Sequence, residues 1–371
     1  MKSDIHFCLV SKQATPNLAP VLAAEFRPKK VFLYVSNEMK KAADNLARVI
    51  KKYGIACEQI AAIDAYDISA IQNQLLTFLD TQSDQSIALN VTGGTKPMAI
   101  AAQEAFRMAG KSVFYVNPES NDILFLDAQT TPLSLTSKIR LDDYLGAHGY
   151  EVKGDVIRSL PQSEARNFLT SELIGHINVF SDAIGTINYY ASKAKNTLEV
   201  TVNHPKIDKN WKQVVDMFED AGILKLRDDK LCFADADSRA YANGGWLEEH
   251  VFGIVKQLQL QDLAINMEVT NESGIGHATN ELDIAFLARN KLHLIECKAK
   301  IFRDDDKSGA DALYKLDSLA ALGGLNTKCM LLSYRQLRNA DKQRAKDLRI
   351  KTIEGEHLCN LRNQLQSWIG S

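Results

Sequence analysis

Residues 280–298 read Asn280-Glu281-Leu282-Asp283-Ile284-Ala285-Phe286-Leu287-Ala288-Arg289-Asn290-Lys291-Leu292-His293-Leu294-Ile295-Glu296-Cys297-Lys298. Two strand-length apolar runs flank Arg289-Asn290, a dipeptide short enough for a tight hairpin loop. Such a loop opposes Ala288 to Lys291 and, counting outward along the ladder, Asp283 to Glu296. Directly opposed residues of an antiparallel pair have Cβ atoms about 4.5–5.5 Å apart, so the two carboxylates repel each other unless a positive charge lies between them. A divalent cation meets that need. Residues two apart on a strand share a face, so Lys298 brings an ammonium beside Glu296. Carboxylate oxygens suit hard Mg²⁺ or Mn²⁺. A cation with a lysine beside it supplies what phosphodiester cleavage requires, namely activated water and compensation of transition-state charge. A Glu-x-Lys alone is common on solvated strands; the register with Asp283 and an upstream amphipathic helix bearing Glu248-Glu249 give it weight.

Upstream of the hairpin, Gly244-Gly245 punctuates the chain, and from about Tyr241 the pattern runs helix, hairpin, helix, strand, helix. A less regular stretch, Ser137 to Asp237, precedes it. There a helix over Trp211–Ala221, a strand Ile223–Leu226, the turn Arg227–Lys230 and a strand Leu231–Ala234 give a winged-helix outline. Asp216, Glu219 and Asp220 on that helix disfavour phosphate, and a helical connector with one hairpin is an equal reading.

From Ile5 to Ala128 short apolar runs alternate with amphipathic ones, as in an α/β fold. Strands are expected at Ile5–Val10, Val31–Val35, Ala56–Ile63, Ile87–Val91, Val113–Val116 and Ile123–Leu126. Helices fit at Leu18–Phe26, Glu38–Lys52, Ile68–Leu79 and Pro97–Met108; the last two strands form a hairpin. At the end of the fourth strand, Thr92-Gly93-Gly94-Thr95-Lys96-Pro97 offers free N–H groups, a hydroxyl, a positive charge and a helix start, all favourable to an anion. It lacks the Gly-x-x-x-x-Gly-Lys-Ser/Thr pattern of an ATP-hydrolysing loop. Ser11-Lys12-Gln13-Ala14-Thr15-Pro16-Asn17 follows the first strand, where doubly wound sheets bind ligands, although Asn17 also suits a helix cap. Ser11, Gln13, Asn17, Thr92, Gly93, Gly94, Thr95 and Lys96 are the expected ligand contacts.

The chain has 371 residues, 45% of them hydrophobic and 24% charged, enough apolar material for two or three compact units rather than disorder. Forty-four basic residues against 46 acidic ones, and an isoelectric point near 6.5, give no global nucleic-acid signature. Any such role must lie in a local site. Six cysteines without Cys-x-x-Cys spacing suggest neither a zinc knuckle nor a disulfide framework and point to the reducing cytoplasm. No signal segment and no spanning apolar run are expected.

Asp283 followed by Glu296-x-Lys298, behind an acidic helix, resembles the PD-(D/E)xK nuclease core, an αβββαβ unit that gathers these groups around one or two metals. The resemblance implies that Asp283 and Glu296 are metal ligands, joined in the expected metal set by Cys297. It makes Lys298 the catalytic lysine and Glu248 the helix carboxylate, with Glu249 as the alternative. Leu282 stands where the family has proline. Lys315, on a helix expected over Ala310–Leu322, is either an extra phosphate contact or a solvated lysine, and His277, near the hairpin's entry, stays outside the catalytic set.

The loop ending Pro16-Asn17, the Asn90–Lys96 turn, the Tyr115-Val116-Asn117 exit and the segment Leu141–Tyr150 resemble CRISPR-associated Rossmann-fold (CARF) sensors of cyclic oligoadenylates. The whole chain resembles the CARF nucleases that serve as accessory effectors of type III CRISPR immunity. This implies a CARF domain at 1–152, a helical or winged-helix-like connector at 153–240 and a PD-(D/E)xK domain at 241–371. It further implies a homodimer sharing one cyclic oligoadenylate, taken as cyclic tetra-adenylate, and Mn²⁺- or Mg²⁺-dependent cleavage of single-stranded DNA or RNA, or nicking of DNA. The second reading is a ligand-responsive transcription regulator that binds DNA through the middle stretch.

Overall fold

The structure, a computed structural model, describes residues 3–126, 131–161, 163–203, 209–271, 279–299 and 308–370. Its N-terminal unit alternates strands and helices: β1 (Ile5–Leu9), α1 (Thr15–Leu22), β2 (Lys30–Val35), α2 (Lys40–Lys52), β3 (Ala56–Ala61), α3 (Ile68–Thr81), β4 (Ile87–Asn90), α4 (Lys96–Met108), β5 (Ser112–Val116), β6 (Asp122–Phe125) and β7 (Leu133–Ser134). The sheet order is β3-β2-β1-β4-β5-β6-β7. The strands from β3 to β5 pair in parallel, and β6 and β7 pair antiparallel as the expected hairpin end. Strand order reverses between β1 and β4, so the loops after both open at one crevice.

Helix α1 departs from expectation. It begins at Thr15, with Pro16 in its first turn, and gives way to extended backbone at Ala23. Asn17 therefore lies inside the helix and does not cap it.

The chain continues through α5 (Leu141–Ala147), β8 (Tyr150–Lys153), α6 (Glu164–Gly175), α7 (Ile177–Lys193), β9 (Glu199–Thr201), α8 (Lys209–Asp220), β10 (Leu224–Arg227), β11 (Lys230–Phe233) and α9 (Ala236–Ala240). A three-stranded sheet β10-β11-β9 beside α8 supplies the winged-helix-like outline. The apolar face of α8, Trp211, Val214, Val215 and Phe218, is buried in a cluster that runs on into the last module.

That module contains α10 (Trp246–Lys256), β12 (Asp262–Asn271), β13 (Thr279–Ala288), β14 (Lys291–Lys298), α11 (Ser308–Ala320), β15 (Lys328–Ser333), α12 (Asn339–Asp347), β16 (Lys351–Glu354) and α13 (Leu361–Gly370). Its six-stranded sheet has the order β16-β15-β14-β13-β12-β8. Strand β8 pairs Lys153 with Glu268 and Tyr150 with Asn271. The stretch 150–152, read from sequence as the end of the first domain, thus belongs to the last sheet. Backbone pairing decided this, and no side-chain pattern announced it.

Both faces of this sheet are covered, which is why β13 and β14 read as nearly unbroken apolar runs. One face meets Leu247 and Val251 of α10, Leu365 of α13 and the middle helices. The other meets Leu313 and Leu316 of α11 together with Leu18 of α1, Leu46 and Ile50 of α2 and Tyr144 of α5 in one buried cluster. The N-terminal unit and the last module therefore share a core. Among the described residues no helix is long and apolar enough to cross a membrane.

Candidate active site and sensor loops

The hairpin turn is Arg289-Asn290, with φ values of 52° and 55°, and Ala288 opposes Lys291. Two successive positive φ angles make the primed type of turn whose twist matches the strands it joins. The ladder continues to Ile284 opposite Ile295. Leu292 and Leu294 belong to the cluster on the α11 side, so Glu296 and Lys298 share that face. Ile295, Cys297 and Ala299 belong to the opposite cluster.

At Asp283 the ladders on both sides are interrupted. The β12–β13 register pairs Ile265 with Ile284 and resumes at Met267 with Leu282, leaving out Asn266, whose φ is 50°. Instead, Oδ2 of Asp283 accepts a hydrogen bond from the Cys297 N–H at 2.8 Å. Asp283 and Glu296 thus sit just past the last ladder pair. They meet through a cation: Lys315 Nζ lies 2.7 Å from Glu296 Oε2 and 3.9 Å from Asp283 Oδ1. Lys298 Nζ lies 2.5 Å from the other oxygen, Oε1 of Glu296. The Glu296 side chain is only 3% exposed and is enclosed by these two ammoniums.

The electrostatics follow from burial and like charge. Burial first, then Glu296, raises the Asp283 carboxyl to about 6. Burial first, then Asp283, raises Glu248, in the first turn of α10, to about 7; the charges of Lys298, Glu281 and Glu296 also reach it. Burial pulls Lys298 down, but Glu296 and Asp283 outweigh it and the net shift is upward. Glu249 points elsewhere, to Arg166 Nη1 at 3.0 Å. Of the two adjacent helix carboxylates, Glu248 is the one brought to Asp283.

Cys297 can take part in the expected metal set only through its main chain. Its thiol lies on the strand face opposite Glu296, is packed in the apolar core, and is pushed well above its ordinary pKa by burial. A protonated thiol turned away is no ligand; only the main chain of Cys297 reaches the site. Among the described residues no three His, Cys, Asp or Glu side chains are gathered as a metal cluster. Two carboxylate side chains with backbone and water oxygens nevertheless suit Mg²⁺ or Mn²⁺, which keep several waters in their shells. His277 lies outside the described residues.

In the sensor crevice, buried Asn90 organises both loops. Its amide donates to Pro16 O and Asn17 Oδ1, each at 2.9 Å, and its oxygen accepts from Thr92 N and Thr92 Oγ1 at 3.1 and 2.7 Å. Asn17 donates to Leu9 O at 2.9 Å and is 1% exposed. Its amide is consumed in clasping the loop, so it positions this crevice and is not presented as a ligand contact. A Cβ on Gly93 would lie 2.0 Å from Leu9 O, so only glycine fits against β1 there. Thr95 caps α4 by accepting from Met98 N and donates to Ala65 O at 2.6 Å. Lys96 is exposed, and Ser11, Gln13, Gly94 and Thr95 are half-buried at the rim.

Two family models match the chain, the Card1 CARF domain over residues 5–144 and the Card1-like endonuclease domain over residues 235–371. The chain belongs to the Card1-like CARF endonucleases. Among solved structures, protein VC1899 from Vibrio cholerae is 26% identical, with a TM-score of 0.91 over 99% of this chain and 98% of that one. Can2 from Sulfobacillus thermosulfidooxidans, in complex with cyclic tetra-adenylate, is 25% identical, with a TM-score of 0.81 over 99% and 100%. A type III CRISPR defence DNA nuclease activated by cyclic oligoadenylate, 15% identical with a TM-score of 0.56 over 91% of this chain and 46% of that one, shares the fold. No curated protein sequence gives a match. Nothing among these relatives favours the transcription-regulator reading.

The residue-level feature of this CARF endonuclease that sequence reasoning passed over is Asn266. An asparagine between Ile265 and Met267 is a tolerable left-handed residue in an otherwise apolar strand, and that is the signal of the ladder break that releases Asp283.

Proposed function

We propose that the chain is a divalent-metal-dependent endonuclease switched on by a cyclic oligoadenylate bound at the Ser11–Asn17 and Thr92–Lys96 loops, acting in type III CRISPR defence. The convergence of Asp283 and Glu296 on one ammonium, with Lys298 on the same face, carries the reading. Asp283 and Glu296 are assigned as ligands of Mn²⁺ or Mg²⁺, completed by the Cys297 main chain. When bound, the cation supplies Lewis-acid stabilisation of the phosphate and activates water. Lys298, beside Glu296 on the same face, would act as a cationic donor to a phosphate oxygen. Glu248, raised to about 7, is matched to accept a proton near neutrality.

Cyclic tetra-adenylate is the activator favoured by likeness to Can2. Ser11, Gln13, the backbone of Thr92, Gly93 and Gly94, Thr95 and exposed Lys96 are assigned to it. A homodimer fits the exposed apolar residues beside that crevice: Ile63 and Tyr66, 70% and 69% exposed, flank the Ala65 that holds Thr95, and Ile100, 56% exposed, follows Lys96 on α4. Single-stranded DNA or RNA is the proposed substrate, and six free cysteines suit the cytoplasm.

The test is cleavage of single-stranded DNA and RNA by the full chain with Mn²⁺, with and without cyclic tetra-adenylate. Glu296→Ala should lower the activated rate on the order of a thousandfold and Lys298→Ala about a hundredfold or more, with activator binding measured in chelator unchanged. Comparable residual cutting in either variant refutes the site.

A further inference from the structure

Lys315 is not one of the residues given a catalytic role above, yet it makes the contact that joins the two acidic groups. Its Nζ is 2.7 Å from Glu296 Oε2 and 3.9 Å from Asp283 Oδ1, whereas Lys298 takes only Oε1 of Glu296. The position is fixed by the helix beneath. Ala312, Leu313, Leu316 and Leu319 of α11 are buried against Leu292 and Leu294 of β14, leaving Lys315 aimed along the same strand face toward Glu296. The Lys315 side chain is 32% exposed, so it lies at the edge of the site and is not sealed within it.

Asp283 and Glu296 are the residues that would hold a divalent cation, and the Lys315 ammonium already lies within ion-pair range of both carboxylates. Two positive groups cannot both sit there. We propose that Lys315 is a built-in competitor for the divalent ion: its ammonium holds the two carboxylates together, and metal binding requires that contact to be given up. Lys315 is then a positioning residue that sets the metal affinity. This rests on the assignment of Asp283 and Glu296 as the metal-binding pair.

A charge-assisted hydrogen bond that must be surrendered weakens the incoming ligand by about tenfold or more. The test is Mn²⁺ binding to the full chain, read by calorimetry or by the loss of free-ion paramagnetic signal, in the native protein, Lys315→Met, Lys315→Arg and Glu296→Ala. Thermal melting is followed in parallel with chelator and with saturating Mn²⁺. Lys315→Met, which keeps the stem and removes the charge, should bind Mn²⁺ about tenfold more tightly and melt lower than the native protein in chelator, with the deficit removed by Mn²⁺. Lys315→Arg should restore the native affinity. A merely structural lysine would leave Mn²⁺ affinity unchanged or weaken it in Lys315→Met, and either result overturns the proposal, as does Lys315→Arg behaving like Lys315→Met. Native-strength binding in Glu296→Ala would instead show that the metal assignment itself is wrong.

Discussion

Single side chains at this site are held against their preferences. Glu248 and Asp283 have folded pKa values of about 7 and about 6, against ordinary values of 4.5 and 3.8, because burial and the neighbouring carboxylates penalise their charged forms. Between those limits the folded protein binds more protons than the unfolded chain, so the groups favour folding at the acidic end of the window and that contribution is lost as pH rises through the folded values. In chelator, the melting temperature should therefore fall from about pH 5 to about pH 7.5, and Glu248→Gln should flatten much of the slope. A profile in Glu248→Gln as steep as the native one would show that the charge strain lies elsewhere. Binding a divalent cation reverses the trend, because it displaces those protons and is itself favoured by rising pH. At this scale the sequence was informative about Asp283, Glu296 and Lys298, since a two-residue loop sets the register. For Cys297 the same alternation that puts Glu296 and Lys298 on one face turns the middle side chain into the core, so only its main chain is available to the site. Asn17 had the chemistry of a ligand contact but is spent on Leu9 and Asn90.

Among the elements, the β13–β14 hairpin turns through two consecutive left-handed residues, neither of them glycine. Arg289 occupies the left-handed region without being glycine, at a cost on the order of 1 kcal/mol. The turn is nevertheless fixed from outside: Asn121 Nδ2 donates to Arg289 O at 2.6 Å, and Ser137 Oγ and Gln261 Nε2 both reach Asn290 Oδ1. Replacing Arg289 by a β-branched residue should expose the strain. Arg289→Val is expected to lose about 1–2 kcal/mol in denaturant unfolding, while Arg289→Gly should lose none. Equal stability in the two variants would mean that the turn relaxes to another type. Hairpin and parallel strands were legible from period and punctuation, as in β1 to β5, whose cores fall within a residue or two of expectation. The β8 edge strand was not, because Tyr150–Lys153 carries mixed polar and apolar residues and is specified by the neighbour it finds. The start of α1 was missed for a related reason, since Thr15-Pro16 reads as loop until the helix behind it is known.

Across the whole molecule, two of the elements that build the active site, β14 and α11, lead away from it toward the sensor. Strand β14 leads from the turn held by Asn121 and Ser137 to Glu296 and Lys298. Helix α11 leads from Lys315 to Gly323 and Gly324, where Tyr144 Oη donates to Gly323 O at 2.9 Å. A Cβ on Gly324 would lie 2.5 Å from Gln13 Oε1. Gln13 belongs to the loop assigned to the activator, so a ligand that draws on Gln13 acts on the short turn, Ala321–Asn326, that follows the helix carrying Lys315. Activator and metal should then be coupled, and coupling is reciprocal: whatever cyclic tetra-adenylate adds to Mn²⁺ affinity, Mn²⁺ adds to cyclic tetra-adenylate affinity. Tyr144→Phe combined with Asn121→Ala removes two of the moorings and leaves the carboxylates in place, although both side chains also line the small cavity beside Gln13. The double variant should lose about 1–3 kcal/mol of stability from its unpaired carbonyls. It should bind Mn²⁺ alone with native affinity, and show less than half the native increase in Mn²⁺ affinity, and in cleavage rate, at saturating activator. A full native response in this variant would show that the signal travels by another route, such as the shared apolar cluster between α2, α5 and the nuclease sheet.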